Sequence, residues 1–137
     1  MYNSKKQIND LAYTIVGAAI EVHKHLGPGL LESIYELCLF EEIASLGLKV
    51  VAQPSFEVQY KGKSLGKILR PDLVVEDIVI VEIKAVETMI PLYHAQLLSY
   101  LKLTGLPKGL LINFNTGNIT GSLVPIVSET FRSLPDQ

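Results

Sequence analysis

A chain of 137 residues with 12 Lys+Arg against 14 Asp+Glu, one cysteine, no tryptophan and 48% hydrophobic residues describes one apolar, near-neutral domain. A core of this size buries roughly two-thirds of the unfolded chain's surface, so folding needs no disulfide or structural metal; the lone Cys38 supplies neither, and a cytoplasmic, reducing compartment is expected. The net charge of -2 excludes nucleic-acid binding by overall charge, and no run approaches the roughly 18–20 apolar residues that span a bilayer, so no membrane partner is expected.

The first segment has a short basic stretch before apolar residues, but Asp10 and Glu21 interrupt it, which is the pattern of a folded helix and not of a secretion signal. Apolar residues at Ile8, Leu11, Ala12, Ile15, Val16, Ala19, Val22 and Leu26 follow helical spacing, with Asn3 or Ser4 available as a cap. Gly27-Pro28-Gly29 stops this helix, and a second is expected over Leu30–Leu46, closed by Gly47. From Val50 the pattern changes to short runs of Val, Ile and Tyr. Strands are expected at Val50–Gln53, Phe56–Tyr60, Leu65–Leu69, Leu73–Val75 and Ile78–Lys84, turning at Lys61-Gly62-Lys63 and Glu76-Asp77. Helical spacing returns over Pro91–Leu103 and ends at Gly105. Gly109–Phe114 suits a strand buried on both faces, Ile119–Val127 an edge strand, and residues 129–137 a loosely held tail. The order predicts one α/β domain over residues 1–137, with a central mixed sheet flanked by helices.

The segment from Arg70-Pro71-Asp72 to Glu82-Ile83-Lys84 carries the chemistry. Glu82 and Lys84 are two apart at the end of the most apolar strand, so both face one side while Val81 and Ile83 face the other. An antiparallel return through Glu76-Asp77 brings Asp72 close to Glu82. Charges in such a strand are costly unless they pair or bind something. Two carboxylates, with a backbone carbonyl such as that of Ile83, offer hard oxygen ligands to Mg²⁺ or Mn²⁺, and a lysine beside them suits phosphodiester hydrolysis. A plain Glu82–Lys84 salt bridge, with Asp72 as a turn residue, satisfies the same three residues. Glu32 and Tyr35 share a face of the second helix, as do Gln96 and Tyr100 on the third. His94 reads as a helix-surface residue and Cys38 as a small core residue, while His23 and His25 lack the spacing of a helical ligand pair.

Taken together, Gly29-Leu-Leu-Glu32-Ser-Ile-Tyr35, Arg70-Pro71-Asp72-Leu-Val-Val-Glu76, Val81-Glu82-Ile83-Lys84-Ala85, His94-Ala-Gln96-Leu-Leu-Ser-Tyr100-Leu-Lys102 and Gly109-Leu-Leu-Ile-Asn113-Phe114 resemble the GxxExxY proteins. These are placed in the PD-(D/E)xK nuclease superfamily, and the resemblance runs from about Asn9 to Phe114. It implies a restriction-endonuclease-like core with Asp72, Glu82 and Lys84 as the PD-ExK triad. By the same resemblance Glu32 is the acidic residue of the first core helix and a further metal ligand, and Gln96 with Tyr100 is a QxxxY element.

Between Val58 and Pro71 the chain carries Lys61, Lys63, Lys67 and Arg70 and no acidic residue. This basic hairpin suits contact with a phosphate backbone, although lysines on an edge strand also serve to block aggregation. With only Arg70 and Arg132 as arginines, base-edge recognition is not expected. The leading expectation is metal-dependent cleavage of nucleic acid, DNA ahead of RNA, without strong sequence specificity. The alternatives are a catalytically silent binding or assembly module, with an apolar patch for homo-oligomer formation, and a site for a small phosphorylated metabolite.

Overall fold

The helical stripe of the first segment folds as α1 (Lys5–Leu26), with the Ser4 side chain capping it by accepting from the Gln7 N–H. The structure, a computed structural model, describes residues 1–137. Beyond α1 come α2 (Glu32–Ser45), β1 (Val50–Ala52), β2 (Phe56–Tyr60), β3 (Lys63–Leu69), β4 (Leu73–Val75) and β5 (Val79–Lys84). The chain continues through α3 (Pro91–Thr104), β6 (Lys108–Asn113), the short α4 (Ile119–Ser122), β7 (Val124–Val127) and the short α5 (Glu129–Arg132). Five strands form a mixed sheet in the order β1-β4-β5-β6-β7, in which only β5 and β6 run parallel. The helix between those two strands makes the crossover that a parallel pair requires.

The two faces of this sheet carry different cores. Val79, Val81 and Ile83 of β5, with Leu73 and Val75 of β4, join residues of α1 and α2 in a cluster of 20 buried side chains. On the opposite face Val74, Ile80 and Leu111 meet Leu97 and Leu101 of α3, with Ile126, in a cluster of 6. Gly109 makes the close seating of α3 possible, because a Cβ there would stand 2.9 Å from the buried Leu97 side chain.

Glu76 and Asp77 are the central residues of the β4–β5 turn, both with φ near +55° (55° and 56°); the Ile78 N–H closes it on the Val75 carbonyl at 2.9 Å, and Ile78 is the third residue between the paired Val75 and Val79. The strain is offset by contacts: Glu76 accepts from the Lys49 N–H at 2.7 Å and the Tyr2 hydroxyl at 3.1 Å, and Asp77 pairs with Lys49 at 2.7 Å.

Three expectations need correction. β2 and β3 form the expected hairpin, paired only with each other as a two-stranded arm apart from the main sheet, but β3 begins at Lys63, two residues before the expected Leu65. Ile119–Val127 is not one edge strand, because Asn118 accepts from the Gly121 N–H and caps a helical turn, leaving only Val124–Val127 paired. The tail is not loose. Phe131 is buried, and the N–H groups of Lys5 and Lys6 at the start of α1 donate to the carbonyls of Pro135 and Asp136. Those N–H groups are helix-start donors without intrahelical partners, and the tail satisfies them.

Candidate active site

The tight β4–β5 turn sets the register Leu73↔Val81, so Asp72 stands one step further on, opposite Glu82. Strand alternation puts Asp72 on the side of Val74, and Glu82 and Lys84 on the side of Ile80, which is the α3 face. Asp72 is held at both ends: its Oδ2 accepts from the Ile83 N–H at 2.8 Å and its carbonyl accepts from the Gln53 N–H at 2.8 Å.

Glu82 is only 9% exposed, and its Oε1 is the one buried side-chain oxygen or nitrogen in the structure without a hydrogen-bond partner. Burial, reinforced by the hydrogen bond with Asp72 and by the Asp72 charge, pushes its pKa up to about 9, with Lys84 opposing the rise. Native structures pair their buried polar atoms, so this orphaned oxygen beside a second carboxylate marks a position for a ligand.

The simple salt-bridge reading of Glu82 and Lys84 does not hold. The ion pairs of the molecule are all elsewhere on its surface. The Lys84 ammonium instead lies over the Tyr93 ring, 4.5 Å from its centroid. The backbone beneath it is pinned: the Lys84 carbonyl accepts from the Phe114 N–H at 2.9 Å. Two residues on, the buried Asn113 side chain accepts from the Val86 N–H at 3.1 Å and donates to its carbonyl at 2.9 Å.

Tyr100 reaches the same site from α3. Burial, followed by the Glu82 charge, raises its pKa, while Gln96 on the preceding turn donates to its hydroxyl at 3.1 Å and opposes that rise. The i,i+4 pair thus presents one polar end to the carboxylates.

The helix acids divide differently from the sequence expectation. Glu32, in the first turn of α2, is exposed and enters the site only as a charge felt by Glu36. Glu36, one turn later, is half-buried, hydrogen-bonds with Asp72 and accepts from the Gln53 amide at 3.2 Å; burial, and next the Asp72 charge, raise its pKa. Tyr35 has a structural task. Fully buried, it donates to the Gly27 carbonyl at 2.6 Å, accepts from the Leu30 N–H at 3.1 Å and stacks on Phe114 at 4.6 Å, fixing the turn that launches α2.

No three His, Cys, Asp or Glu side chains gather into a complete metal cage. What is present is a carboxylate pair with an unpartnered buried oxygen. This fits Mg²⁺ or Mn²⁺, hard cations that take one or two carboxylates and complete their shells with water and phosphate oxygens. Asp72 and Glu82 would hold the ion. Ile83 contributes a core side chain and, through its N–H, the bond that orients Asp72.

Lys61, Lys63 and Lys67 line the exposed arm, with Lys61 above the Tyr60 ring at 5.4 Å, and Arg70 is exposed two residues before Asp72. His94 and Cys38 play no part: His94 is exposed on α3, and Cys38 packs half-buried at the margin of the larger core. His23 bonds the Thr116 carbonyl at 2.7 Å, and His25 pairs with Glu21 at 2.9 Å. Sequence reasoning missed Glu36, Gln53, Tyr93 and Asn113. Only Glu36 had a signal, lying one helical turn after Glu32 on the same face.

Comparison with known proteins bears on the fold and the family. The crystal structure of SSO0001 aligns with a TM-score of 0.52 at 22% identity, over 74% of this chain and 55% of that one, a likeness of fold between this chain and about half of a longer one. Comparison with curated proteins gives no match. The model of the PD-(D/E)XK nuclease superfamily matches residues 9–123, which take in α1 from its second turn, α2, α3 and four of the five strands of the main sheet, all but β7. The chain belongs to the PD-(D/E)XK nuclease superfamily.

Proposed function

We propose that this protein is a Mg²⁺- or Mn²⁺-dependent nuclease of the GxxExxY type that cleaves phosphodiester bonds, in DNA ahead of RNA, without strong sequence selection. The observation that carries the reading is the buried, unpartnered Glu82 Oε1 next to Asp72, with Lys84 on the same strand face. When bound, the divalent ion supplies Lewis-acid polarisation of the phosphate and a more acidic water.

The chain's own residues do the rest. Asp72 and Glu82 hold the cation side of the site, and the Ile83 N–H keeps the Asp72 carboxylate turned toward it. Lys84, free of any carboxylate partner, directs its N–H donors at the attacking water and the charge that grows on the phosphate. Glu36, beside Asp72 and bonded to Gln53, is the acid of α2 that accepts a proton, with Glu32 one turn before it as a further acid toward the cation. Gln96 and Tyr100 orient the carboxylates or touch the scissile strand. The exposed lysines of the arm and Arg70 follow the phosphate backbone.

A polymer is favoured over a small metabolite because no cavity of the molecule is built around the triad residues. The surface cavities of the molecule are lined by other residues, none of them Asp72, Glu82 or Lys84, whereas small-molecule sites enclose most of their ligand. Incubation with DNA and Mg²⁺ or Mn²⁺ should give cleavage that chelation stops and that Asp72→Ala and Lys84→Ala each reduce at least about 100-fold. Cleavage surviving in either variant sinks the mechanism.

A further inference from the structure

The proposed role of Lys84 demands more of its surroundings than the strand can supply. The Phe114 N–H and the Asn113 side chain fix the backbone at the end of β5, but four methylene groups separate that backbone from the ammonium. No carboxylate lies within ion-pair distance to hold it. The group that meets it is the face of Tyr93, 4.5 Å from ring centroid to nitrogen.

Tyr93 is itself well placed to be rigid. It stands in the first turn of α3, where Pro91 sets the start of the helix and the Tyr93 N–H donates to the Ile90 carbonyl at 3.1 Å. Its ring is half-buried and packs against the smaller core cluster that contains Leu97 and Leu101. The crossover from β5 to α3 therefore returns an aromatic face to the strand end it has just left.

A ring does something here that a carboxylate would not. A carboxylate partner would take one or two of the ammonium's N–H donors and neutralise its field at the place where positive charge is needed. The ring quadrupole attracts the cation across a broad face and leaves the donors pointing away from the ring free for an anionic oxygen. We propose that Tyr93 is a positioning residue that holds the Lys84 ammonium toward the scissile phosphate while leaving its charge and donors available. The proposal rests on the reading of Lys84 in the preceding subsection.

Proton–carbon NMR of the full chain tests the contact without any turnover. The ε-methylene protons of Lys84, identified by their absence in Lys84→Ala, should be displaced upfield by the ring current. Tyr93→Leu should remove that displacement and Tyr93→Phe should keep it. In cleavage assays Tyr93→Leu should lower kcat about tenfold with KM little changed, and Tyr93→Phe should recover activity to within about threefold of the parent. An undisplaced Lys84 resonance in the parent protein overturns the proposal, and that result does not depend on whether a Tyr93 variant folds. Full kcat in a folded Tyr93→Leu overturns it as well. Full cleavage by Lys84→Ala, with the ring-current displacement present in the parent, instead defeats the catalytic reading of Lys84 and leaves the Tyr93 contact established.

Discussion

Along β5, residues one step apart meet opposite surroundings. Val79, Val81 and Ile83 enter the 20-residue apolar cluster formed with α1 and α2, whereas Ile80, Glu82 and Lys84 face α3, where the cluster of 6 gives way to charge. Both sets lie in one strand of six residues. The two-residue period of a strand thus separates the part of the chain that stabilises it from the part that carries the candidate site. The larger cluster tolerates no charge. The smaller one stops short of the strand end, and there Glu82 is buried with an oxygen that no protein group satisfies.

The largest effect should come from the apolar side. Leu39 of α2 is fully buried in the larger cluster, and Leu39→Ala should cost about 2–5 kcal/mol by denaturant unfolding, through lost burial and a cavity. The cleavage rate per folded molecule should stay near the parent value, in contrast to Lys84→Ala, where stability holds and cleavage fails. If the folded fraction of Leu39→Ala also loses its specific activity, the two faces are coupled and the separation is broken.

Next in size is a pH effect at the point where the faces meet. The Glu82 carboxyl holds its proton to about pH 9 in the folded protein, against a value of 4.5 for an unperturbed one. Between those limits the folded state binds more protons than the unfolded state. Its contribution is therefore most favourable below the unperturbed value, is lost as pH rises through the window, and levels off above the folded value. Glu82→Gln cannot ionise. In chelator-containing buffer, urea melts at about pH 5 and about pH 8.5 should show the variant gaining on the parent by roughly 1 kcal/mol or more at the higher pH. A parallel pH response in the two proteins would mean that Glu82 is not held protonated by its surroundings.

How far the sequence foretold this arrangement follows from the range of each signal. Helical and strand periodicities are local, and they place α1, α2, α3, β5 and β6 to within a few residues. The convergence of Asp72 and Glu82 was also legible, because an antiparallel return through Glu76-Asp77 brings the start of β4 beside the end of β5; the pairing of Asp72 with Glu82 itself follows from Ile78 being a third loop residue, with Val75 opposite Val79. That the arm stands apart was not. Whether β2 and β3 join the main sheet depends on which strand edge β1 and β4 occupy, and alternating residues alone do not encode that. The tail was misjudged because its order comes from bonds across the full chain length, from Lys5 and Lys6 to Pro135 and Asp136. Within the site, Glu36 overtakes Glu32 as the neighbour of Asp72 because helix rotation and the reach of Gln53 select between two acids on one face. Tyr93 meets Lys84 only once the crossover is folded.

The smallest effect lies in the arm, and it asks how far the charged face extends. Phe56 at the base of the arm packs against the α3-side cluster, so the arm grows from the side of the sheet that carries the candidate site, and Lys61, Lys63 and Lys67 on it are all exposed. Exposed lysines without buried partners contribute little to stability, and Lys61→Ala, Lys63→Ala and Lys67→Ala should each change unfolding by no more than about 0.5 kcal/mol. Their effect should appear in the salt dependence of nucleic-acid binding. Each phosphate contact removed should reduce the slope of log affinity against log salt by about 0.9 on duplex DNA, equally for unrelated sequences. A lysine whose loss weakens binding to one sequence only would be reading bases and not phosphates. A slope unchanged in the triple variant would confine the interface to Arg70 and the carboxylate end of β5, and the arm would then be a solubilising edge, kept from strand pairing by its charge.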